Sequence, residues 1–382
     1  MRVLVLIETG AFSGPARNLL ETLSLLRDRA EFVIGTFVRG GAESDFSARV
    51  RDLGFEVRVI REAFRYDPRC IPALARVVRD ARPDLLQIHN TKSRLYAWLV
   101  ARVSRTVRAI PQIQYFHGET WVDPKQEAYN ALDRRLFSRA RNLIAVSRRQ
   151  KALLVEWGAR PERIAVVHNA IRPVPPAQKV AGDRKRILYA GRFSREKGVM
   201  LLVEAAERLS REGVTGFELV LLGDGPERSA VRARVEAAGL ADIVRLEGFQ
   251  ANIEPYYRAA DLFVLPSFTE GLPNVLLEAA AYEVPIVAFK VGGIPEMFTA
   301  GQEAVLLERP DAADLAAAIR RFIEDPSSFR RMASAARRRV ERDFSVEAKA
   351  ERLLACYRQV VTGRPLGELP DAAGAVSGNG SR

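Results

Sequence analysis

The 382-residue chain carries only two cysteines, Cys70 and Cys356, and only three histidines, His89, His117 and His168. Two isolated cysteines supply neither a disulfide framework nor a metal-ligand spacing, so both are expected to be reduced packing residues. Long apolar runs are missing as well. Stretches such as Val3 to Ile7 fall far short of the roughly 20 residues that cross a bilayer, and this one is too short for a signal-peptide core. A cytoplasmic chain with no membrane span is the expectation. There is no Asp-x-Asp triplet, hence no ready acidic pair to hold a divalent ion against a diphosphate. A dinucleotide fingerprint also fails: Gly223-Asp224-Gly225 follows an apolar run, but Arg228 stands where a third glycine would let helix pack on strand. This sets aside an NAD-dependent oxidoreductase.

What the chain does have is positive charge, unevenly placed. The total is 59 Lys+Arg against 47 Asp+Glu. Residues 1 to 171 hold 29 and 18 of these, whereas residues 172 to 344 hold 25 and 25. A basic first half suggests an anionic partner, such as a lipid-linked phosphate, a phospholipid surface or nucleic acid, or else a plain solvated Arg-rich surface. On a helical wheel started at Arg94, the residues Arg94, Arg102, Arg105 and Arg108 fall with Trp98, opposite Leu99, Val100, Val103 and Val107. That pattern fits one helix showing Arg and Trp to a membrane surface, and equally an ordinary exposed helix.

Short apolar runs alternate with helical patterns through the first half, at Arg2 to Ile7, Glu31 to Val38, Glu56 to Ile60, Leu85 to His89, Gln112 to Phe116, Asn142 to Val146 and Ile164 to Val167. This is the pattern of an α/β domain with a doubly wound parallel sheet, here residues 1 to 171. The Pro- and Gly-rich stretch 172 to 185 reads as a linker. The alternation resumes at Ile187, Glu218, Val244, Leu262, Ile286 and Ala304, defining a second such domain over 186 to 344. Two Rossmann-like domains in series imply a ligand cleft at the carboxyl ends of the strands. After Asp343, Ala350, Leu353, Leu354, Tyr357, Val360 and Val361 recur at helical spacing; residues 345 to 361 read as a helix returning to the first domain. Residues 363 to 382, rich in Gly, Ala and Ser, read as a disordered tail.

Two stretches carry chemistry. In Tyr189-Ala-Gly191-Arg192-Phe-Ser-Arg-Glu-Lys197-Gly198 a strand runs into a loop with two cations, followed by a helix start. Arg192 can donate two bonds in a fork and Lys197 adds a point charge, which suits a diphosphate. In Pro266-Ser-Phe-Thr-Glu270-Gly271-Leu272-Pro-Asn274-Val275-Leu-Leu-Glu278 a buried strand ends in a loop and a helix opens near Asn274. Glu270 and Glu278 are placed to accept hydrogen bonds from vicinal hydroxyls, while the helix start suits phosphate oxygens. A helix-dipole residue and a loop cap would be the bland reading of the same carboxylates.

With Glu270 and Glu278 eight residues apart and Arg192 and Lys197 upstream, the chain resembles the retaining glycosyltransferases of family 4, which have the two-domain GT-B fold. The pieces run nearly the whole chain in order: Ser13-Gly14-Pro15, Tyr115-Phe116-His117-Gly118, Val146-Ser147, Val167-His168-Asn169, Gly191-Arg192 to Lys197-Gly198, Gly223-Asp-Gly225, Pro266 to Ala280 and Val291-Gly292-Gly293-Ile294-Pro295-Glu296.

The resemblance implies a hexose-type sugar moved from a UDP- or GDP-sugar to an acceptor, with retention of configuration, in polysaccharide, glycolipid or cell-envelope glycan synthesis. Arg192 and Lys197 would neutralise the leaving diphosphate, Glu270 and His117 would contact the transferred sugar, and Glu278 would hold the ribose. Gly14 and Gly191 would let backbone approach the donor; Gly271, Leu272, Asn274 and Val275 would contact it, and Ile253 would lie near the base. The first domain would bind the acceptor. Its charge points to an anionic or lipid-linked one, with Lys92 and Arg94 as contacts, and to peripheral contact at the inner face of a membrane. No cofactor, no divalent metal and no specific nucleic acid are expected. Ala170 and Glu283 depart from the pattern, standing where glycine is usual. The alternatives are a nucleotide-sugar epimerase of the same architecture and a non-catalytic polyanion-binding protein; for a phosphorylase no Lys-bound pyridoxal site can be identified.

Overall fold

A computed structural model describes residues 1–9, 14–40, 44–118, 124–175 and 182–369. Packing divides these residues into two units. The first is built from residues before Ala170 together with the chain from Val346 onward, and the second chiefly from Ala170–Ser345.

Strands buried on both faces of a parallel sheet need near-continuous apolar side chains, and the runs read from the sequence are where strands form. The first unit contains β1 (Arg2–Leu6), β2 (Glu31–Arg39), β3 (Glu56–Glu62), β4 (Leu85–Ile88), β5 (Gln112–Phe116), β6 (Leu143–Ala145) and β7 (Ile164–Val166). They lie in the order β3-β2-β1-β4-β5-β6-β7, every pair parallel. The second unit contains β8 (Lys185–Ala190), β9 (Phe217–Leu222), β10 (Val244–Gly248), β11 (Leu262–Leu265), β12 (Ile286–Phe289) and β13 (Val305–Leu307), in the order β10-β9-β8-β11-β12-β13, also all parallel. Both orders reverse direction beside their first strand, which is the doubly wound Rossmann-like topology. A ligand is therefore expected above the carboxyl ends of β1 and β4 or of β8 and β11.

The helix Val346–Val361 belongs to the first unit. Its buried residues Ala350, Leu353, Leu354, Tyr357 and Val360 share a core with Val3, Val5, Leu20, Leu23 and Phe32. Within the second unit, Ile171 N–H donates to Phe344 O at 2.9 Å and Ile171 bridges Ser345. Of the stretch read as a disordered tail, residues 363 to 369 are structured instead. Leu366–Glu368 form a 3₁₀ turn, because fully buried Leu366 reaches the core of the first unit. Residues 370 to 382 lie outside the described residues, as do 176 to 181 of the expected linker.

The single helix expected across Arg94 to Arg108 is two helices, Thr91–Val103 and Arg105–Ala109. Ser104 separates them: its backbone is extended, and its hydroxyl accepts from Val107 N–H, capping a new helix start. The first helix docks through Tyr96, Ala97 and Val100, whereas Val103 is 74 % exposed. A wheel drawn through both therefore mixes two unrelated faces.

Candidate active site

In the second unit β8 ends at Ala190 and the chain bends through Gly191, Arg192 and Phe193. The neighbouring Gly223-Asp224-Gly225 loop encloses the bend: Gly191 N–H donates to Leu222 O, Phe193 N–H to Asp224 O and Glu227 N–H to Phe193 O, each at 3.0 Å. A Cβ on Gly223 would lie 1.8 Å from Gly191 O, and one on Gly225 2.4 Å from Phe193 O. The Gly-Asp-Gly motif is thus a backbone support for the Arg192 loop, with Arg192 itself exposed above it.

The next turn, Arg195–Lys197, ends at Gly198 with φ of 65°. A Cβ there would meet Pro266 O at 2.0 Å, so the turn lies directly against the end of β11. That contact brings Lys197 to Glu270, 73 residues away: Nζ donates to Oε1 at 2.7 Å, and the Glu270 side chain is only 6 % exposed. Gly292, with φ of 56°, supports the far side of Glu270; a Cβ on it would lie 1.8 Å from Glu270 O, and Gly293 N–H donates to Gly271 O at 3.0 Å. Loop and lysine are therefore held by two separate glycine contacts.

Leu272 is buried, and the helix Asn274–Ala281 starts without a side-chain cap. Leu276 N–H donates to Pro273 O at 3.2 Å, and the N–H groups of the first two positions, which have no acceptor within the helix, are suited to an anion. Ser267 Oγ and Asn274 Oδ1 are buried beside it with no hydrogen-bond partner among the described residues, the kind of orphaned atom a ligand satisfies. One turn on, Glu278 Oε2 accepts from the Tyr257 hydroxyl at 3.0 Å, and Tyr257 is buried and stacked on Tyr282. Tyr257 was not visible as a site residue in the sequence, because nothing in its local pattern marks an anchor for a carboxylate 21 residues later. The Tyr257 hydroxyl also donates to Val275 O at 3.1 Å, and Ile253 immediately precedes the helix Glu254–Ala259 that carries Tyr257. Arg192, Lys197, Glu270 and Glu278 thus belong to loops and a helix start at the carboxyl ends of β8 and β11.

Glu283, where glycine was expected, adopts the left-handed conformation with φ of 56°. Ser334 Oγ donates to its carboxylate, which helps an acidic residue hold a position that glycine usually fills.

In the first unit His117 follows β5 and retains an exposed surface. Close packing around the ring, followed by the charges of Lys349 and Arg94, pushes it down to about 4, so it is neutral at pH 7. Gly14 opens the helix Gly14–Ser24 and is exposed; Ser13 lies outside the described residues. Lys92 and Arg94, expected at the acceptor, are not available to one: both are only 2 % exposed. Lys92 pairs with Glu62 and, at 2.8 Å, with Glu8. Arg94 pairs with Asp133, donates to Tyr115 O at 3.0 Å and lies 3.7 Å from the centre of the Phe137 ring. These cations are internal ties, since a buried charge is tolerated only with partners of this kind. A cavity of 630 Å³ in the same unit, lined by Trp98, Arg108, Arg139, Arg141, Arg163 and Arg364, lies at the amino ends of β5 and β6. Two of its arginines donate to backbone carbonyls: Arg108 to Ala101 O and Arg102 O at 2.8 Å, and Arg163 to Arg141 O at 3.2 Å.

Two Rossmann-like units, the second with a cation and carboxylate group above its strand ends, are the architecture of the GT-B fold. Residues 172–339 match the family model "Glycosyl transferases group 1", and residues 13–170 match "Glycosyl transferase 4-like domain". The chain belongs to the group 1 glycosyltransferases. It is 31 % identical over 238 residues to the putative colanic acid biosynthesis glycosyltransferase WcaL of Salmonella typhimurium, a match covering 59 % of this chain and 58 % of that one. It is 30 % identical over 265 residues to the amylovoran biosynthesis glycosyltransferase AmsK of Erwinia amylovora, covering 65 % of each. The matched region thus spans less than two thirds of either relative. Among solved structures, Alr3699/HepE of Anabaena in complex with UDP and glucose superposes with a TM-score of 0.80 at 22 % identity, over 94 % of this chain and 100 % of that one. This likeness shows the fold.

Proposed function

We propose that the protein is a retaining glycosyltransferase that moves a hexose-type sugar from a UDP- or GDP-sugar to an acceptor in the synthesis of a polysaccharide or other cell-envelope glycan. The observation that carries the reading is the 2.7 Å contact of Lys197 Nζ with Glu270 Oε1. It sets a cation suited to phosphate beside a carboxylate suited to sugar hydroxyls, at the uncapped start of the helix Asn274–Ala281. The WcaL and AmsK relatives, named for the biosynthesis of such polymers, and the UDP- and glucose-bound structural neighbour support it.

In this reading the donor diphosphate takes Arg192, Lys197 and the helix N–H groups, Glu278 takes the ribose hydroxyls and Glu270 the sugar. The sugar C1–O bond breaks with its electron pair on the diphosphate, where fixed cations oppose the developing charge. The acceptor oxygen bonds to C1 on the face the diphosphate leaves, and its proton passes to a phosphate oxygen. No side-chain nucleophile and no divalent ion enter the scheme. His117 and the acceptor belong to the first unit, whose basic surface favours an anionic or lipid-linked acceptor. Among the described residues no helix is long and apolar enough to cross a membrane, so any membrane contact would be peripheral. Arg102, Arg105 and Arg108 remain exposed for it.

The test is incubation with a panel of UDP-, GDP- and ADP-sugars in excess chelator. Release of the nucleoside diphosphate is expected. Intact but epimerised donor would instead identify the epimerase alternative, and complete loss of transfer with chelator would defeat the metal-free scheme.

A further inference from the structure

Three buried side chains of the first unit form a continuous hydrogen-bond chain that ends at His117, which is exposed. Tyr357, on the returning helix and fully buried, donates its hydroxyl proton to Gln87 Oε1. Gln87, fully buried on β4, places Nε2 2.6 Å from His89 Nε2. His89, just beyond β4 and 4 % exposed, places Nδ1 3.0 Å from His117 Nε2. The three rings His89, Tyr115 and His117 lie nearly parallel, with interplanar angles of 17°, 20° and 14°, so neither imidazole can rotate without moving the other.

The chain has a direction. The Gln87 amide nitrogen can only donate, so His89 Nε2 must accept and His89 carries its proton on Nδ1. That proton is donated to His117 Nε2, which leaves the His117 proton on Nδ1. No described residue accepts from Nδ1. Reversing the chain requires the Gln87 amide to flip and the Tyr357 hydroxyl to accept from it. The hydroxyl proton of Tyr357 would then be buried with no other acceptor among the described residues, the costlier arrangement. Both imidazoles are held below their ordinary range by burial and by nearby positive charges, which keeps the pair neutral and the direction meaningful at pH 7.

We infer that Tyr357, Gln87 and His89 are positioning residues that lock His117 in its Nδ1–H form, so that it presents a hydrogen-bond donor, not a proton acceptor, to an oxygen of the transferred sugar. This rests on the glycosyltransferase reading for the identity of the ligand, but not for the state of the imidazole. The consequence is selective: the site favours a donor sugar with an oxygen at the position facing His117 and discriminates against its deoxy analogue. It also ties the last helix of the chain, through Tyr357, to the state of His117.

With three histidines in the chain, ¹⁵N-histidine labelling and two-bond ¹H–¹⁵N correlation at pH 7 read the tautomers directly. His117 and His89 should each show a protonated Nδ1 and a bare Nε2, assigned by His89→Gln and His117→Gln. Tyr357→Phe keeps the ring but removes the hydroxyl that sets the direction. It should shift both imidazoles toward mixed tautomers and lower kcat roughly tenfold, with KM for the donor changed less than about twofold. An Nε2–H form or an imidazolium at either residue in the unmodified protein overturns the proposal, as does a Tyr357→Phe protein with unchanged tautomers and turnover. Failure of every sugar donor together with the expected spectrum would refute the glycosyltransferase reading and leave the tautomer lock standing.

Discussion

Gly292→Ala tests whether the position of Glu270 depends on a glycine behind it. The added Cβ would lie 1.8 Å from Glu270 O at a residue whose φ is 56°. Relief of that overlap requires the Glu270 backbone to withdraw by roughly 1 Å, in addition to about 1 kcal/mol for a left-handed alanine. The 2.7 Å bond from Lys197 to Glu270 does not survive such a displacement of its acceptor. A 1 Å misplacement of a positioned group costs roughly 10²-fold in rate, so turnover should fall by about that factor. Gly301→Ala isolates the backbone term. Gly301 has φ of 75° and nothing within 4 Å of the added Cβ, so the variant should lose about 1 kcal/mol of stability and none of its activity. Steady-state kinetics and urea unfolding of both variants make the comparison. Equal turnover in Gly292→Ala and Gly301→Ala would show that the glycine does not hold the site.

Lys92→Met should lower stability by about 1–3 kcal/mol, because it strips one of two cationic partners from the buried Glu62 carboxylate, which keeps Arg39 at 3.1 Å; urea unfolding measures this, and a normal midpoint with only a raised KM for the acceptor would return Lys92 to the surface. Arg192→Ala should mainly slow turnover and Glu278→Ala mainly weaken nucleotide binding, as separated by kcat and by calorimetric titration with UDP and GDP; intact turnover in Arg192→Ala would sink this division. For His117 the folded value near 4 lies below the ordinary 6.5. The unfolded chain therefore binds the extra proton between those values, and stability is lost as pH falls from 6.5 to 4. His117→Gln should flatten that part of the unfolding free energy profile, and an identical slope in both proteins would contradict the assignment.

Much of the molecule was legible in the sequence. The strands came through because parallel strands covered on both faces read as short apolar runs bounded by turn residues, and the returning helix because Ala350, Leu353, Leu354 and Tyr357 recur at helical spacing. Arg192, Lys197, Glu270 and Glu278 were marked by the loops that follow such runs. The surface of the first unit was misread. Arg94 looked like an outward cation because a wheel carries no information about Asp133, 39 residues on, or about Ser104 ending the helix. Residue 363 onward looked disordered because composition does not show that Leu366 fits a core made mainly by distant segments.

Periodicity and composition are local properties, so the sequence by itself determined the order of strands and helices, the two-unit α/β class and where the loops carrying Arg192, Lys197 and Glu270 fall. Which charges meet was decided only by the tertiary structure. Lys197 pairs with Glu270 because Gly198 lets one turn lie against the end of β11. Tyr357 reaches Gln87 because the chain returns to its first unit 270 residues later. A hydrogen bond requires its partners within about 3 Å, and sequence separation says nothing about that distance until the backbone has been folded around its core.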